Sequence, residues 1–396
     1  MIHKIEVENF MSLKKATVDF EPLTIFIGAN GSGKSAIFKA LVLLSRLLNG
    51  VPVRGPKGEF SESGVTLDDL VWKGHAGLPI IFRVWLNDGQ ADPDYELMLM
   101  KRAEGWGVAS ERIRKEDGTW IEVDENTSFE HPTERREGTI KHGPPLRATL
   151  RYLVNPYIND AAAQSAIAPI LKLASKFGHA HRYRPSAIDI AQFVQRPTER
   201  GRTVNVAENG FGLATKLQDL QNSTTDRATF QSIEQDLRRL FPHIVNIGFE
   251  NDYLGVRLNY RTDRSDDQIR APQESDGVLL ATFLLWRLRT AGSEMTICLE
   301  EPENGLHPVL LAERFLLLRT IATEGRQILA STHSPEFLHA LKRHPSEIYK
   351  QIRLVEFSKE TGTTVDSLAG MGEAKKLLDR YWDEMHDVWE PIIKGW

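Results

Sequence analysis

One cysteine, Cys298, is all that 396 residues carry. This excludes an intramolecular disulfide and any zinc site built on clustered cysteines. No apolar run approaches the ~18 residues that span a bilayer. The opening Met1-Ile2-His3-Lys4-Ile5-Glu6 alternates apolar and polar residues and lacks the apolar stretch of a secretory signal. The expectation is therefore a cytoplasmic protein in a reducing setting, with no membrane partner. Basic charge is also scarce. The net charge of −5 argues against coating nucleic acid through overall basicity. The exception is local: residues 141–202 carry ten Lys or Arg against three acids, a +7 segment inside an acidic chain. No internal repeat or long heptad array is present. What remains is ordinary globular content, 41% hydrophobic and 26% charged, in a chain long enough for two or three packed lobes.

The N-terminus reads as strands at Ile2 to Phe10, Ala16 to Phe20 and the apolar run Leu23-Thr24-Ile25-Phe26-Ile27. A Gly-rich turn follows at once. Ile37, Phe38, Leu41, Leu44 and Leu48 then recur at three-and-four spacing, which predicts a helix ending at Asn49-Gly50. Short strand patterns such as Pro79–Leu86, Tyr95–Met100 and Trp120–Val123 suggest an antiparallel β arm, and 125–146 reads as loop. Helical patterns dominate from Asp160 to Leu240. Strand patterns resume at 243–260, followed by a charged turn at 261–270. A helix after Ser275-Asp276-Gly277, the buried strand Met295 to Leu299, a helix from Val309 to Thr323 and the strand Gln327 to Ala330 complete an alternating pattern. Such alternation around Gly-rich turns predicts an α/β class with a mostly parallel core.

The strongest chemical signal is Gly28-x4-Gly33-Lys34-Ser35. Successive backbone N–H groups of such a loop wrap phosphate oxygens, and the helix N-terminus adds positive potential. A Cβ would obstruct that wrap, hence the glycines. Lys34 is expected to reach the β- and γ-phosphates, and the Ser35 hydroxyl to ligate Mg²⁺. Strand before and helix after supply the required context. The second signal is Glu300-Glu301 at the end of an apolar strand. A carboxylate there can hold Mg²⁺ through water, and its neighbour can polarise an attacking water. A charged turn after a core strand looks the same, so the assignment leans on the phosphate loop. His333 lies just past the strand ending at Ala330, where a polar residue can reach a γ-phosphate, although a lone histidine is more often structural. Ser275-Asp276-Gly277 opens a long apolar helix. It reads as an N-cap and, compatibly, as a second anion site. His307 and Cys298 read as structural.

Taken together these pieces resemble the RecF/SMC-like branch of ABC ATPases, and most closely the ATP-binding domain shared with the OLD family. The resemblance is carried by Ile5-x-Val7-x-Asn9-Phe10, Gly28 to Ser35, Leu299 to Pro308, Ser331-Thr332-His333-Ser334-Pro335, and Ser275-Asp276-Gly277 as a degenerate signature motif. It spans about residues 1–357. It implies an ABC-ATPase head, a P-loop NTPase with a parallel-sheet core, an antiparallel β arm and a helical lobe. The lobes would be 1–130, 131–240 and 241–357, followed by a tail at 358–396. It further implies ATP and Mg²⁺ as cofactors. Gly28, Asn30, Gly31, Gly33, Lys34 and Ser35 would bind nucleotide, Ser35 and Glu300 the metal. Glu301 would be the catalytic glutamate and His333 the switch histidine. Ser275 and Gly277 would contact the γ-phosphate of ATP held by a second copy. Glu300 stands where ABC proteins usually carry Asp.

The resemblance also implies a homodimer or an assembly of dimers. Only about forty residues follow position 357, too few for the Toprim nuclease domain of OLD proteins. The expectation is a stand-alone ATPase subunit that controls a separate nuclease or toxin, as in bacterial anti-phage defence. Alternatives are a RecF-like repair ATPase gripping DNA through 141–202, a scaffold that binds ATP without hydrolysing it, and, least favoured, a small-molecule kinase. In the tail, Leu378, Trp382, Met385, Trp389, Ile392 and Trp396 fall on one helical stripe, which either packs on the chain's own core or docks a partner.

Overall fold

The computed structural model describes residues 1–49, 66–103, 105–124, 128–130, 137–139, 172–177, 182–183, 211–303, 311–334, 349–367 and 376, with omissions at 74, 76, 116–117, 253–254 and 293–294. The basic segment 141–202 (apart from two short stretches), His307 and the tail stripe lie outside the described residues. The elements run β1 (Lys4–Phe10), β2 (Leu13–Asp19), β3 (Leu23–Ile27), α1 (Lys34–Leu48), β4 (Ile80–Trp85), β5 (Tyr95–Arg102), β6 (Gly105–Arg114), β7 (Trp120–Asp124), β8 (Ser128–Glu130), β9 (Glu137–Thr139) and β10 (Arg182–Tyr183). There follow α2 (Leu213–Asn222), α3 (Arg227–Leu240), β11 (Ile244–Asp252), β12 (Gly255–Thr262), β13 (Ser265–Arg270), α4 (Asp276–Thr290), β14 (Thr296–Glu300), α5 (Leu311–Thr323), β15 (Gln327–Thr332), β16 (Ile352–Ser358) and β17 (Gly362–Ser367).

Two six-stranded sheets organise the molecule. The first, in the order β2-β1-β4-β5-β6-β7, is antiparallel throughout, so the β arm is continuous with the N-terminal strands. The second runs β10-β14-β15-β3-β16-β17. Its pairings are parallel except for the closing hairpin β16/β17. A sheet of this kind is covered on both faces, and its strands read as unbroken apolar runs. Their side chains nevertheless part in two. Leu23, Ile25 and Ile27 of β3, Ile297 and Leu299 of β14, and Ile328 and Ala330 of β15 face a core shared with α2 to α5. Phe26, Cys298 and Leu329 face the other way, into a core shared with α1 and the antiparallel sheet.

Helix α1 is wedged between the two sheets. Eleven of its fifteen residues are buried, including all five of the expected apolar set. Phe38 meets Phe26 of β3 edge-on, with centroids 5.6 Å apart. The helix is thereby held over the strand whose loop it follows. On the opposite face α4 is buried from Gly277 to Trp286, and Leu217, Ile233 and Leu237 of α2 and α3 join the same core.

The structure corrects two expectations. Residues 265–270, read as part of a charged turn, are the outer strand β13 of the sheet β11-β12-β13. An edge strand tolerates Ser-Asp-Asp-Gln because its pairing to β12 is made by backbone. The loop expected at 125–146 contains the hairpin β8/β9, whose three-residue strands are too short to show a period. Strand β6 falls within the expected β arm. A register shift opposite Met98 and Leu99 breaks its alternation, and its buried Glu111 accepts a hydrogen bond from the Tyr95 hydroxyl at 2.7 Å.

If α1 is the wedge described, Phe38→Ala should cost about 3–5 kcal/mol of stability by urea denaturation. A loss below about 1 kcal/mol would mean that the helix is not clamped there.

Candidate functional site

Because β14, β15 and β3 are parallel neighbours, their carboxyl ends share one edge. Register places Glu300 opposite Ser331 and Thr332 opposite Ile27. This edge is where open α/β sheets hold ligands. Residues 28–33 leave the end of β3, and the chain enters α1 at Lys34. Gly31 and Gly33 have φ of 82° and 109°, in the region that favours glycine. The requirement at Gly28 is different: a Cβ there would lie 2.2 Å from the Val355 carbonyl oxygen of β16. At Gly33 it would lie 2.1 Å from the Thr363 hydroxyl of β17 and 2.7 Å from that of Ser12. These glycines are therefore demanded by the hairpin behind the loop as well as by the wrap in front of it.

That hairpin also holds the loop. The fully buried Thr363 hydroxyl lies 2.9 Å from the Ser32 carbonyl and 2.8 Å from the Ser12 hydroxyl. The Thr363–Ser12 contact joins residues 351 positions apart, so no sequence pattern could have pointed to it. The Lys34 ammonium donates to the carbonyls of Gly28 at 2.7 Å and Ala29 at 2.9 Å. Burial draws Lys34 below its ordinary pKa, and the carboxylates of Glu301, Glu300 and Glu303 oppose that shift. One lysine and three carboxylates thus share a single electrostatic neighbourhood.

Glu300 is buried at the end of β14. Glu301 follows with φ of 48°, unusual for a residue with a side chain, and its N–H donates to the Ser331 carbonyl at 2.9 Å. Backbone strain of roughly 1–3 kcal/mol accompanies such a conformation. The Glu301 carboxylate meets His333 Nδ1 at 3.2 Å. A second clamp ties the same two loops together: the Thr332 hydroxyl donates to Glu303 at 2.5 Å and accepts from the Ser334 N–H at 3.0 Å. Glu303 and Thr332 stood inside the sequence motifs without an assigned role; the structure shows what they touch.

A cleft of about 780 Å³ opens over this edge, within the range of small-ligand sites. Asn30, Gly31, Gly33, Lys34, Ser35, Glu300 and Glu301 line it. Gly28 sits behind it against Val355, and His333 reaches it through Glu301. Ser275 and Gly277 do not line it. Ser275 is exposed at the N-terminus of α4 and makes no capping hydrogen bond with its side chain, so the N-cap expected of it is not made through the hydroxyl; Gly277 is buried.

The residues present fit a Mg²⁺-nucleotide. The open cradle at Gly31, where nothing lies within 4 Å of a notional Cβ, leaves room for phosphate oxygens. Among the described residues no group of three or more His, Cys, Asp or Glu side chains is placed to hold a metal ion. Ser35 and Glu300 on the cleft suit an ion that takes its remaining ligands from phosphates and water, as Mg²⁺ does.

Comparison with known proteins agrees with this geometry. Residues 109–339, more than half of the chain, match the family described as "AAA domain, putative AbiEii toxin, Type IV TA system". Residues 1–74 match the family described as "AAA ATPase domain". No curated protein matches. Among solved structures, the chain is similar to an SMC head bound to the C-winged helix domain of ScpA, with 16% identity, 93% of this chain and 97% of that one covered, and a TM-score of 0.50. That likeness shows the fold: an ABC-ATPase head of the P-loop NTPase class. The SMC head domain from Thermotoga maritima aligns at 12% identity over 93% and 99% of the two chains, with a TM-score of 0.43. Among the described residues, no helix is long and apolar enough to cross a membrane.

The two kinds of glycine in the loop should respond differently. Gly31→Ala meets open space, so only its positive φ is penalised, at about 1 kcal/mol. Gly28→Ala drives a Cβ into backbone and should cost about 1–3 kcal/mol, the range of overpacking, and weaken nucleotide binding as well. Thermal unfolding and calorimetry of both variants check this. Equal effects at the two positions would contradict it.

Proposed function

This chain belongs to the AAA-domain family matched above, as an SMC- and RecF-like ABC-type ATPase, and from that premise we propose that it binds and hydrolyses ATP. We further propose that two copies close head-to-tail around two nucleotides, and that this closure controls a separate effector. The observation that carries the reading is the placement of Glu301. Its carboxylate lines the same cleft as Lys34 and Ser35, on a strained backbone, tethered to His333.

The loop N–H groups and the Lys34 ammonium bind the β- and γ-phosphates, and positive charge there stabilises the transferring group. Ser35 and Glu300 would hold Mg²⁺, which when bound screens phosphate charge. Glu301 takes the proton from the attacking water onto its carboxylate, while its contact with His333 fixes the carboxylate's orientation. The His333 Nδ1 lies 3.2 Å from the Glu301 carboxylate, which sets the imidazole beside the proposed base. Ser275 stands exposed off its own chain's cleft, and its backbone begins a fifteen-residue helix. A helix N-terminus with a hydroxyl beside it suits the γ-phosphate held by a second copy.

A link to a toxin system is supported by the family's description; a separate nuclease or toxin effector and a part in anti-phage defence in the cytoplasm are supported by the sequence resemblance.

Lys34→Ala should abolish ATP binding. Glu301→Gln should retain binding and lower turnover by at least ~100-fold, since an amide cannot accept the proton. Normal turnover in Glu301→Gln would remove Glu301 from its role. The head-to-tail arrangement has its own test. Lys34→Ala and Ser275→Arg proteins should each be inactive alone and regain activity when mixed, because one composite site reassembles in the heterodimer. No recovery in mass-verified heterodimers would contradict it.

A further inference from the structure

The phosphate loop is braced from behind by the hairpin β16/β17, and that hairpin is itself anchored. The Thr363 N–H donates to the Ser12 carbonyl at 2.8 Å. In the hairpin turn the Glu360 carbonyl accepts from the Lys14 ammonium at 3.0 Å. Gly362, with φ of 77°, packs so close to Ser12 that a Cβ would come within 2.8 Å of the same carbonyl. Across the ladder from Thr363, Phe357 meets Trp72 with ring centroids 6.4 Å apart. Thr363 is therefore presented to the loop by a fixed backbone.

A hydroxyl has one proton to give, and this sets the direction of the bonds at Thr363. The Ser32 carbonyl, 2.9 Å away, can only accept, so Thr363 donates to it. The Ser12 hydroxyl, 2.8 Å away, is then the donor to Thr363. Two hydrogen bonds in series thus run from the turn between β1 and β2, through a fully buried hydroxyl, to the back of the loop.

The peptide held in this way is the one that leads into α1. In a trans peptide the C=O and the N–H point in opposite directions. With the Ser32 carbonyl turned back onto Thr363, the Gly33 N–H points away from the hairpin. Gly33 lines the cleft, and its N–H finds no acceptor among the described residues. The loop itself does little to keep that orientation. Glycine at 33 removes the steric resistance that a Cβ would offer to a peptide flip. The Ser32 hydroxyl is buried without a hydrogen-bond partner, so it does not fix the peptide either.

We propose that Thr363 is a positioning residue of the nucleotide site: by holding the Ser32 carbonyl it keeps the Gly33 N–H turned toward the bound phosphates. The inference rests on the phosphate-loop reading above and deepens it. A flipped peptide would aim a carbonyl oxygen at phosphate oxygens and replace an attraction with a repulsion. The loop motif is thus completed by a hydroxyl 331 positions away.

Thr363→Val removes the hydroxyl at nearly constant shape, and Thr363→Ser keeps it. Calorimetry on the full chain with Mg²⁺ and either ATP or inorganic tripolyphosphate compares them. Thr363→Val should bind both probes about tenfold more weakly, the worth of one hydrogen bond to a charged group. Thr363→Ser should stay within about twofold of wild type. The amide NMR resonance of Gly33 reports the peptide directly. Its proton should shift downfield when tripolyphosphate binds the wild type or Thr363→Ser, and much less in Thr363→Val. Unchanged affinity in Thr363→Val would overturn the positioning role while leaving the phosphate site standing. Equal losses in the valine and serine variants would also overturn it, because packing and not the hydroxyl would then be responsible. A Gly33 resonance unmoved in wild type saturated with tripolyphosphate would overturn it without recourse to any variant. A wild-type chain that binds neither ATP nor tripolyphosphate would overturn the phosphate-site reading and the positioning role with it.

Discussion

The parallel strands β14, β15 and β3 are covered on both faces, and that constraint organises everything else. Strands buried on two sides must be apolar along their length, so they can carry polar chemistry only where they end. Parallel pairing gathers those ends on one edge. The phosphate loop, the Glu300-Glu301 pair and the Ser331 to His333 turn therefore meet although some 270 residues separate the first from the second. No side chain had to be placed individually; strand order placed them as a set.

Within that edge the arrangement is tense. Lys34 sits in reach of three carboxylates and is bound to its own loop's carbonyls. Glu301 holds a backbone conformation that costs free energy, and its neighbours fix it with the Ser331 carbonyl, His333 and the Thr332–Glu303 clamp. Strain kept in place by its surroundings is common at functional sites. A phosphate group entering the cleft meets a fixed positive end at the loop and fixed carboxylates across from it, which is the preorganisation that charge-developing reactions use.

Much of this was legible in the sequence, for reasons that can be named. The runs Leu23–Ile27 and Thr296–Glu300 have no polar face to hide, and α1 repeats its apolar residues at helical spacing, so element type followed from pattern. The phosphate loop and the paired glutamates followed from local spacing. What stayed hidden depends on distant contact. The Thr363 hydroxyl under the loop, the Val355 carbonyl behind Gly28 and the Trp72–Phe357 pair join residues far apart in the chain. Strand β13 escaped the pattern because its polar edge lacks an alternation that the backbone ladder does not need.

Head-to-tail closure requires that one chain supply only part of a nucleotide site and that a second copy complete it. The most direct measurement is the molar mass of the Glu301→Gln protein by light scattering, with and without Mg²⁺ and ATP. Closure predicts twice the mass in the presence of ATP, and no such change when Lys34→Ala is added to the same chain. An unchanged mass in a protein that calorimetry shows to be saturated with ATP would contradict it.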